Sequence, residues 1–131
     1  MKTKSRIFLV IALVAAITVF HILIVFGIIP YEYVWGGRLK NDAQMYISET
    51  VSIVLNLFLI VVLLMKSDQI KPWFSPKVMS GILWFFVILF GLNTIGNLLA
   101  ETVFEKSFAV VTLFLVIMIF MLLKKENLKK K

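Results

Sequence analysis

The sequence GLNTIGNLLAE, residues 91–101, closes a long apolar run that begins at Val78. Wound as a helix, Asn93, Asn97 and Glu101 lie four residues apart and therefore line one face. Two amides and a carboxylate on one stripe find no hydrogen-bond partners in lipid, so we expect the stripe to face protein or trapped water. The rest of the chain is accordingly interpreted as further helices that receive this stripe.

The composition of the chain indicates that lipid is part of its solvent. Hydrophobic residues make up 61% of the sequence, against the roughly 45–50% of soluble domains, and the mean hydropathy is +1.00. The net charge of +7 lies at the ends of apolar runs, which favours membrane orientation over a nucleic-acid partner. A single histidine and no cysteine predict no disulfide, no metal site and no bound cofactor.

Four apolar runs predict an all-α fold, an integral membrane four-helix bundle that forms a single domain over the whole chain. Gly27 and Pro30 are expected to end the first helix. Asn41 with Gln44 predicts a capping box for the second helix, and Ser75 followed by Pro76 predicts the start of the third. A cleaved signal peptide is the alternative for the first run, which is longer than the ~7–15 apolar residues of such signals. The predicted helices cover about residues 6–29, 42–65, 76–101 and 105–123, with a basic tail at 124–131.

Lysine and arginine are distributed unequally between the two ends of the predicted bundle. Eleven of the fourteen lie in the N-terminal segment, the loop between the second and third helices, and the C-terminal tail. The other two loops contain only Arg38, Lys40 and Lys106. Because positive residues are retained in the cytoplasm, both termini are predicted to be cytoplasmic in a multi-pass plasma membrane protein. The lysine tail is expected to contact anionic lipid headgroups.

Three of the helices place polar side chains in the outer half of the bundle, and these predict an outward-facing pocket. His21 lies ~12 Å below the outer end of the first helix, and the polar residues of the second helix share one face. Two carboxylates near an imidazole are suited to acid–base chemistry or to a cationic ligand. The predicted pocket residues are His21, Glu49, Ser52, Asn56, Asn93, Asn97 and Glu101, and the predicted rim is Tyr31, Tyr33, Trp35, Arg38 and Tyr46.

The pattern leaves several functions open. The first is a pocket for a small amphiphilic or cationic ligand, with or without catalysis. The second is a transporter or channel subunit, a homo-oligomer whose polar stripes meet at a shared axis. The third is a non-enzymatic accessory or immunity membrane protein. In a fourth interpretation the amides only bond to one another between helices, at ~0.6 kcal/mol per contact.

Three segments together resemble a group of small bacterial membrane proteins that have no assigned activity. They are IPYEYVWGGRL at 29–39, MYISETVSIVLNL at 45–57 and LNTIGNLLAETVFEK at 92–106. The resemblance implies a bacterial inner-membrane location and a four-helix topology, and it implies no activity. In helix count and acidic character the chain is also similar to the sterol-isomerase and sigma-2-receptor superfamily, although no motif of that superfamily matches residue by residue.

Overall fold

The computed structural model describes residues 1–129, which form four long helices joined by short loops. Within this range there is no β-strand, so the all-α prediction is confirmed. The loop between the first two helices contains two short 3-10 turns. The helices are α1 (Thr3–Val25), α2 (Asp42–Lys66), α3 (Pro76–Leu98) and α4 (Val103–Lys129), and the 3-10 turns are Tyr31–Tyr33 and Trp35–Gly37.

Each of the four helices is long and apolar enough to cross a membrane. Only 28–39% of the most apolar stretch of each helix is buried inside the protein. The remaining apolar surface faces outward, and a surface of that size is unfavourable in water. The helices therefore indicate a multi-pass membrane protein.

The end of α1 is fixed by Gly27, one of the two residues from which the sequence predicted it. Gly27 adopts φ +73°, a left-handed conformation that favours glycine. Its N–H donates to Ile24 O at 3.0 Å, and the N–H of Ile28 donates to Leu23 O at 2.9 Å. These two bonds form a Schellman motif, so α1 ends four residues before the predicted boundary.

The starts of α2 and α3 agree with the capping signals in the sequence. Asn41 Oδ1 accepts a hydrogen bond from the N–H of Gln44 at 2.9 Å, and Gln44 Oε1 accepts one from the N–H of Lys40 at 2.9 Å. Ser75 Oγ accepts from the N–H of Val78 at 3.3 Å. Each bond satisfies a backbone donor that the first helical turn leaves without a partner.

The turn between α3 and α4 differs from its predicted position. α3 ends at Leu98 instead of residue 101, and α4 begins at Val103 instead of residue 105. Thr102 caps α4, because its Oγ1 accepts from the N–H of Glu105 at 3.1 Å. Glu101 therefore lies in the turn and not on the helical stripe of Asn93 and Asn97.

Most of the segment predicted as a basic tail is helical, because α4 continues to Lys129. Glu126 on this extension forms an ion pair with Lys66 of α2 at 2.9 Å and accepts a hydrogen bond from Ser80 of α3 at 2.8 Å. These contacts connect three helices at one end of the bundle. Lys130 and Lys131 lie outside the described residues.

The helices pack in a ring in chain order. The closest pairs are α1 with α2 and α3 with α4, and contacts of α1 with α4 and of α2 with α3 close the ring. The main core occupies the half of the bundle that contains the N-terminus, where Val10, Leu63, Phe86 and Ile119 are buried. A second, much smaller core lies beneath the α1–α2 loop. The half of the bundle nearest this loop is consequently less filled.

Candidate functional site

A cavity of about 430 Å³ lies in the half of the bundle that the main core leaves unfilled. All four helices and the Trp35–Gly37 turn contribute to its wall. Its volume falls within the ~300–1,000 Å³ of typical small-molecule sites. The polar residues of the wall are His21, Arg38, Ser52, Asn56, Asn93, Asn97, Glu105 and Thr112, and its aromatic residues are Phe20, Trp35, Phe90 and Phe108.

Glu49 of α2 is the most deeply buried charged residue near the cavity, with none of its surface exposed. Its Oε2 lies 2.5 Å from His21 Nδ1, and its Oε1 accepts a hydrogen bond from Trp35 Nε1 at 2.6 Å. A buried carboxylate is tolerated only when such donors replace water. Since Nδ1 of His21 is taken by Glu49, Nε2 is the ring nitrogen left for a cavity ligand.

Trp35 is held in a backbone conformation that is unfavourable for a large side chain. Its φ is +58°, and Gly36 and Gly37 follow at +63° and +70°. A left-handed conformation costs a residue with a Cβ roughly 1–2 kcal/mol. The hydrogen bond from Trp35 to Glu49 offsets this strain, so a contact distant in sequence fixes the turn.

A second carboxylate holds the same turn from the opposite side of the bundle. Glu105 Oε1 accepts a hydrogen bond from the N–H of Gly36 at 2.6 Å, and its Oε2 accepts one from Thr102 Oγ1 at 2.8 Å. Glu105 lies in the first turn of α4, where the helix dipole favours negative charge. The turn is thus attached to α2 through Glu49 and to α4 through Glu105.

Two polar groups at the cavity have unused hydrogen-bonding capacity. Asn56 is 6% exposed, and within residues 1–129 its Nδ2 donates to no acceptor. Arg38 donates from Nε to the carbonyl oxygen of Trp35 at 3.2 Å. No carboxylate of the described chain pairs with the Arg38 guanidinium. Both groups are donors, and both residues are among those that line the cavity.

The structure brings together most, but not all, of the residues selected from the sequence. His21, Ser52, Asn56, Asn93 and Asn97 line the cavity. Among the predicted rim residues, Trp35 and Arg38 also line it.

The remaining predicted residues lie elsewhere. Glu49 is behind the wall, bonded to two residues that form it. Glu101 is exposed in the α3–α4 turn and does not line the cavity. Tyr33 is exposed. Tyr31 and Tyr46 line a separate recess of about 330 Å³ beside the end of α1.

In this recess, desolvation raises the pKa of the Tyr31 phenol, and the negative charges of Asp42 and Glu32 raise it further. A hydrogen bond to Asp42 acts in the same direction. The upward shift of the pKa extends the pH range, already well above neutral, over which the phenol remains protonated.

Sequence reasoning missed Glu105, Gly36, Gly96 and Thr112 as residues of the site. The signal for Glu105 was present, since Thr102-x-x-Glu105 has the spacing of a capping box. Gly96 leaves space in the wall: a Cβ built there would meet only Arg38 Nη2, at 3.8 Å. Thr112 donates to Phe108 O, a local bond expected of a helical threonine, and accepts from Thr94 Oγ1 on α3, a contact that sequence spacing does not predict.

The chain matches no protein-family model, no curated protein and no solved structure. Among the described residues, no three side chains of the metal-ligating types form a cluster.

Proposed function

We propose that this protein is a four-helix membrane protein that binds a small amphiphilic ligand in the cavity formed by α1–α4. The observation that carries the proposal is Asn56, a residue of the wall of a 430 Å³ space whose buried Nδ2 has no acceptor among residues 1–129. A buried amide donor left unpaired costs about 1–3 kcal/mol. A ligand oxygen that accepts from it removes that cost.

The chemistry of the wall supports an amphiphile over a purely polar solute. Phe20, Phe90 and Phe108 supply apolar surface, while the amides of Asn93 and Asn97 lie near the end of α3. A few polar groups within an apolar wall are typical of sites that orient a ligand as well as bury it. Interhelical polar packing alone accounts less well for these side chains, because Asn56 Nδ2 donates to no acceptor in the described part of the chain.

We further propose that the cavity opens toward the extracytoplasmic side of the plasma membrane and that both termini are cytoplasmic. The support is the excess of lysine and arginine at the end of the bundle that contains the termini. The chain has no cysteine, so Lys40→Cys and Lys71→Cys each introduce a unique thiol into an exposed loop. A membrane-impermeant maleimide added to intact cells should label Lys40→Cys alone. Labelling of Lys71→Cys alone would reverse the orientation.

Ligand binding is tested by filling the cavity from Gly96, a position on α3 in the cavity wall that has no side chain. Gly96→Leu places an isobutyl group at the wall, with Arg38 Nη2 as its nearest neighbour. Gly91→Leu is the matched control, because it makes the same change on α3 at a site with no atom within 4 Å of the new Cβ and outside the cavity wall.

The readout is tryptophan fluorescence in nanodiscs of zwitterionic lipid, in a Trp73→Phe/Trp84→Phe background that leaves Trp35 in the cavity wall. Decyl phosphate, decyltrimethylammonium and decyl maltoside serve as anionic, cationic and neutral probes. At least one probe should produce a saturable change that Gly96→Leu abolishes and Gly91→Leu preserves. If no probe gives a saturable change, or if both leucine variants behave alike, the proposal is refuted.

A further inference from the structure

The carboxylates near the cavity have their oxygens occupied by protein donors. Glu49 accepts from His21 and Trp35, and Glu105 accepts from Gly36 and Thr102. A cationic ligand in this cavity therefore finds carboxylates that are already satisfied. The sequence leaves an amphiphilic and a cationic ligand open, because it shows the acidic residues but not their partners.

By contrast, two hydrogen-bond donors of residues in the cavity wall have unused capacity within the described chain, one in the α1–α2 loop and one deeper in the bundle. Arg38 lies in the loop between α1 and α2. Among the described residues, its guanidinium donates only to the carbonyl oxygen of Trp35. Asn56 lies fourteen residues into α2, about 21 Å from the start of that helix. An unbalanced cation at the end of the bundle and an unpaired donor in its interior favour an anionic headgroup with an acceptor on its apolar part.

The geometry points to an anionic amphiphile as the ligand class: a phosphate or carboxylate headgroup pairs with Arg38, and an oxygen on the chain accepts from Asn56 Nδ2. This inference rests on the proposed function and specifies the ligand for the same cavity. The cavity has roughly three times the volume of an engineered 150 Å³ cavity that holds benzene. It is therefore suited to one chain of an amphiphile rather than to a whole two-chain lipid.

Two charge variants separate a specific contact of Arg38 from a general effect of positive charge. Arg38→Gln removes the guanidinium from the cavity wall. Lys40→Gln removes one positive charge from the same loop, two residues away, at an exposed position outside the wall. With the Trp35 fluorescence readout, decyl phosphate should bind at least about tenfold more tightly than decyltrimethylammonium. Arg38→Gln should remove that preference, and Lys40→Gln should retain it.

The amide contact is tested with an acceptor on the probe. Asn56→Leu preserves side-chain volume and removes the orphan donor, so the fold should not lose stability. 12-Hydroxydodecyl phosphate, which carries an oxygen at the far end of its chain, should lose about threefold or more of its affinity in this variant. Dodecyl phosphate, which lacks that oxygen, should lose less.

The outcomes distinguish failure of this inference from failure of the proposed function. Equal or tighter binding of decyltrimethylammonium, blocked by Gly96→Leu, would leave the pocket in place and overturn its anionic preference. Equal affinity for inorganic phosphate would show that the site takes a free anion and needs no chain. Equal effects of Arg38→Gln and Lys40→Gln would show that the preference for decyl phosphate comes from the positive charge of the loop and not from a contact with Arg38, which would overturn the inference. Absence of binding by every probe would refute both the inference and the function on which it rests.

Discussion

Replacing Trp35 with phenylalanine removes one hydrogen bond from the site and leaves most of its packing unchanged. The indole Nε1 donates to Glu49 Oε1 at 2.6 Å, and Glu49 has no exposed surface. Without the indole N–H, that carboxylate oxygen is buried without its donor. Phenylalanine has a Cβ like tryptophan, so the strain of φ +58° is the same in both proteins.

The expected loss follows from the charge and burial of the acceptor. Hydrogen bonds to charged groups contribute ~1.5–3 kcal/mol, and phenylalanine also buries less apolar area than tryptophan. The matched control is Trp84→Phe. Trp84 is 42% exposed against 38% for Trp35, packs edge-on against Phe120, and makes no hydrogen bond within the described residues. The smaller ring affects both variants, so the difference between them isolates the hydrogen bond at ~1.5–3 kcal/mol.

The assay is unfolding by sodium dodecyl sulfate in mixed micelles, followed by circular dichroism and extrapolated to zero denaturant fraction. A difference below about 0.5 kcal/mol between Trp35→Phe and Trp84→Phe would refute the role given to the bond. A double-mutant cycle with Glu49→Gln supplies a second check. If the two side chains interact directly, the double variant should lose less stability than the sum of the single variants.

Three further predictions concern the ends of the helices, measured by the same unfolding assay. Gly27→Ala should lose ~1 kcal/mol because φ is +73°, whereas Gly81→Ala, within α3 and with free space around its Cβ, should gain up to ~1 kcal/mol. Thr102→Val should lose ~1 kcal/mol by removing the cap of α4 and a donor to Glu105. Glu126→Gln should lose ~1 kcal/mol, and the loss should shrink at high salt because the partly exposed ion pair with Lys66 is screened. A gain for Gly27→Ala, no loss for Thr102→Val, or a salt-independent Glu126→Gln effect would each contradict its explanation.

The sequence was sufficient to predict the helices because their apolar runs and caps are local signals. Asn41 and Ser75 cap α2 and α3 where the spacing indicated. It was less informative at the end of α3, where Leu98, Leu99 and Ala100 continue the apolar run although the helix stops at Leu98. Nothing in that local composition distinguishes a last helical turn from a loop. The predicted helix therefore includes Glu101, which in the structure lies in the turn that follows the helix.

The Trp35–Gly37 turn could not be predicted because its conformation depends on partners distant in sequence. A left-handed tryptophan is locally unfavourable, and the turn gains two long-range hydrogen bonds that offset this cost, from Trp35 to Glu49 and from the N–H of Gly36 to Glu105. Residue spacing predicted that the polar groups of α1, α2 and α3 would converge, since helical periodicity fixes the face on which each lies. It could not show which of the acids would already have partners.

Because the Trp35–Gly37 turn is bonded to the buried Glu49 and Glu105, substitutions of these acids should change both stability and ligand affinity. Glu49→Gln weakens the support for Trp35, and the wall of the cavity includes Trp35, so both stability and affinity should decrease. Within residues 1–129 the Arg38 side chain donates only to the carbonyl oxygen of Trp35, so Arg38→Gln should lower affinity with little loss of stability. Glu49 would then be a positioning residue and Arg38 a ligand contact. Any other substitution that lowers affinity in proportion to stability would identify a positioning residue like Glu49, whatever its distance from the ligand.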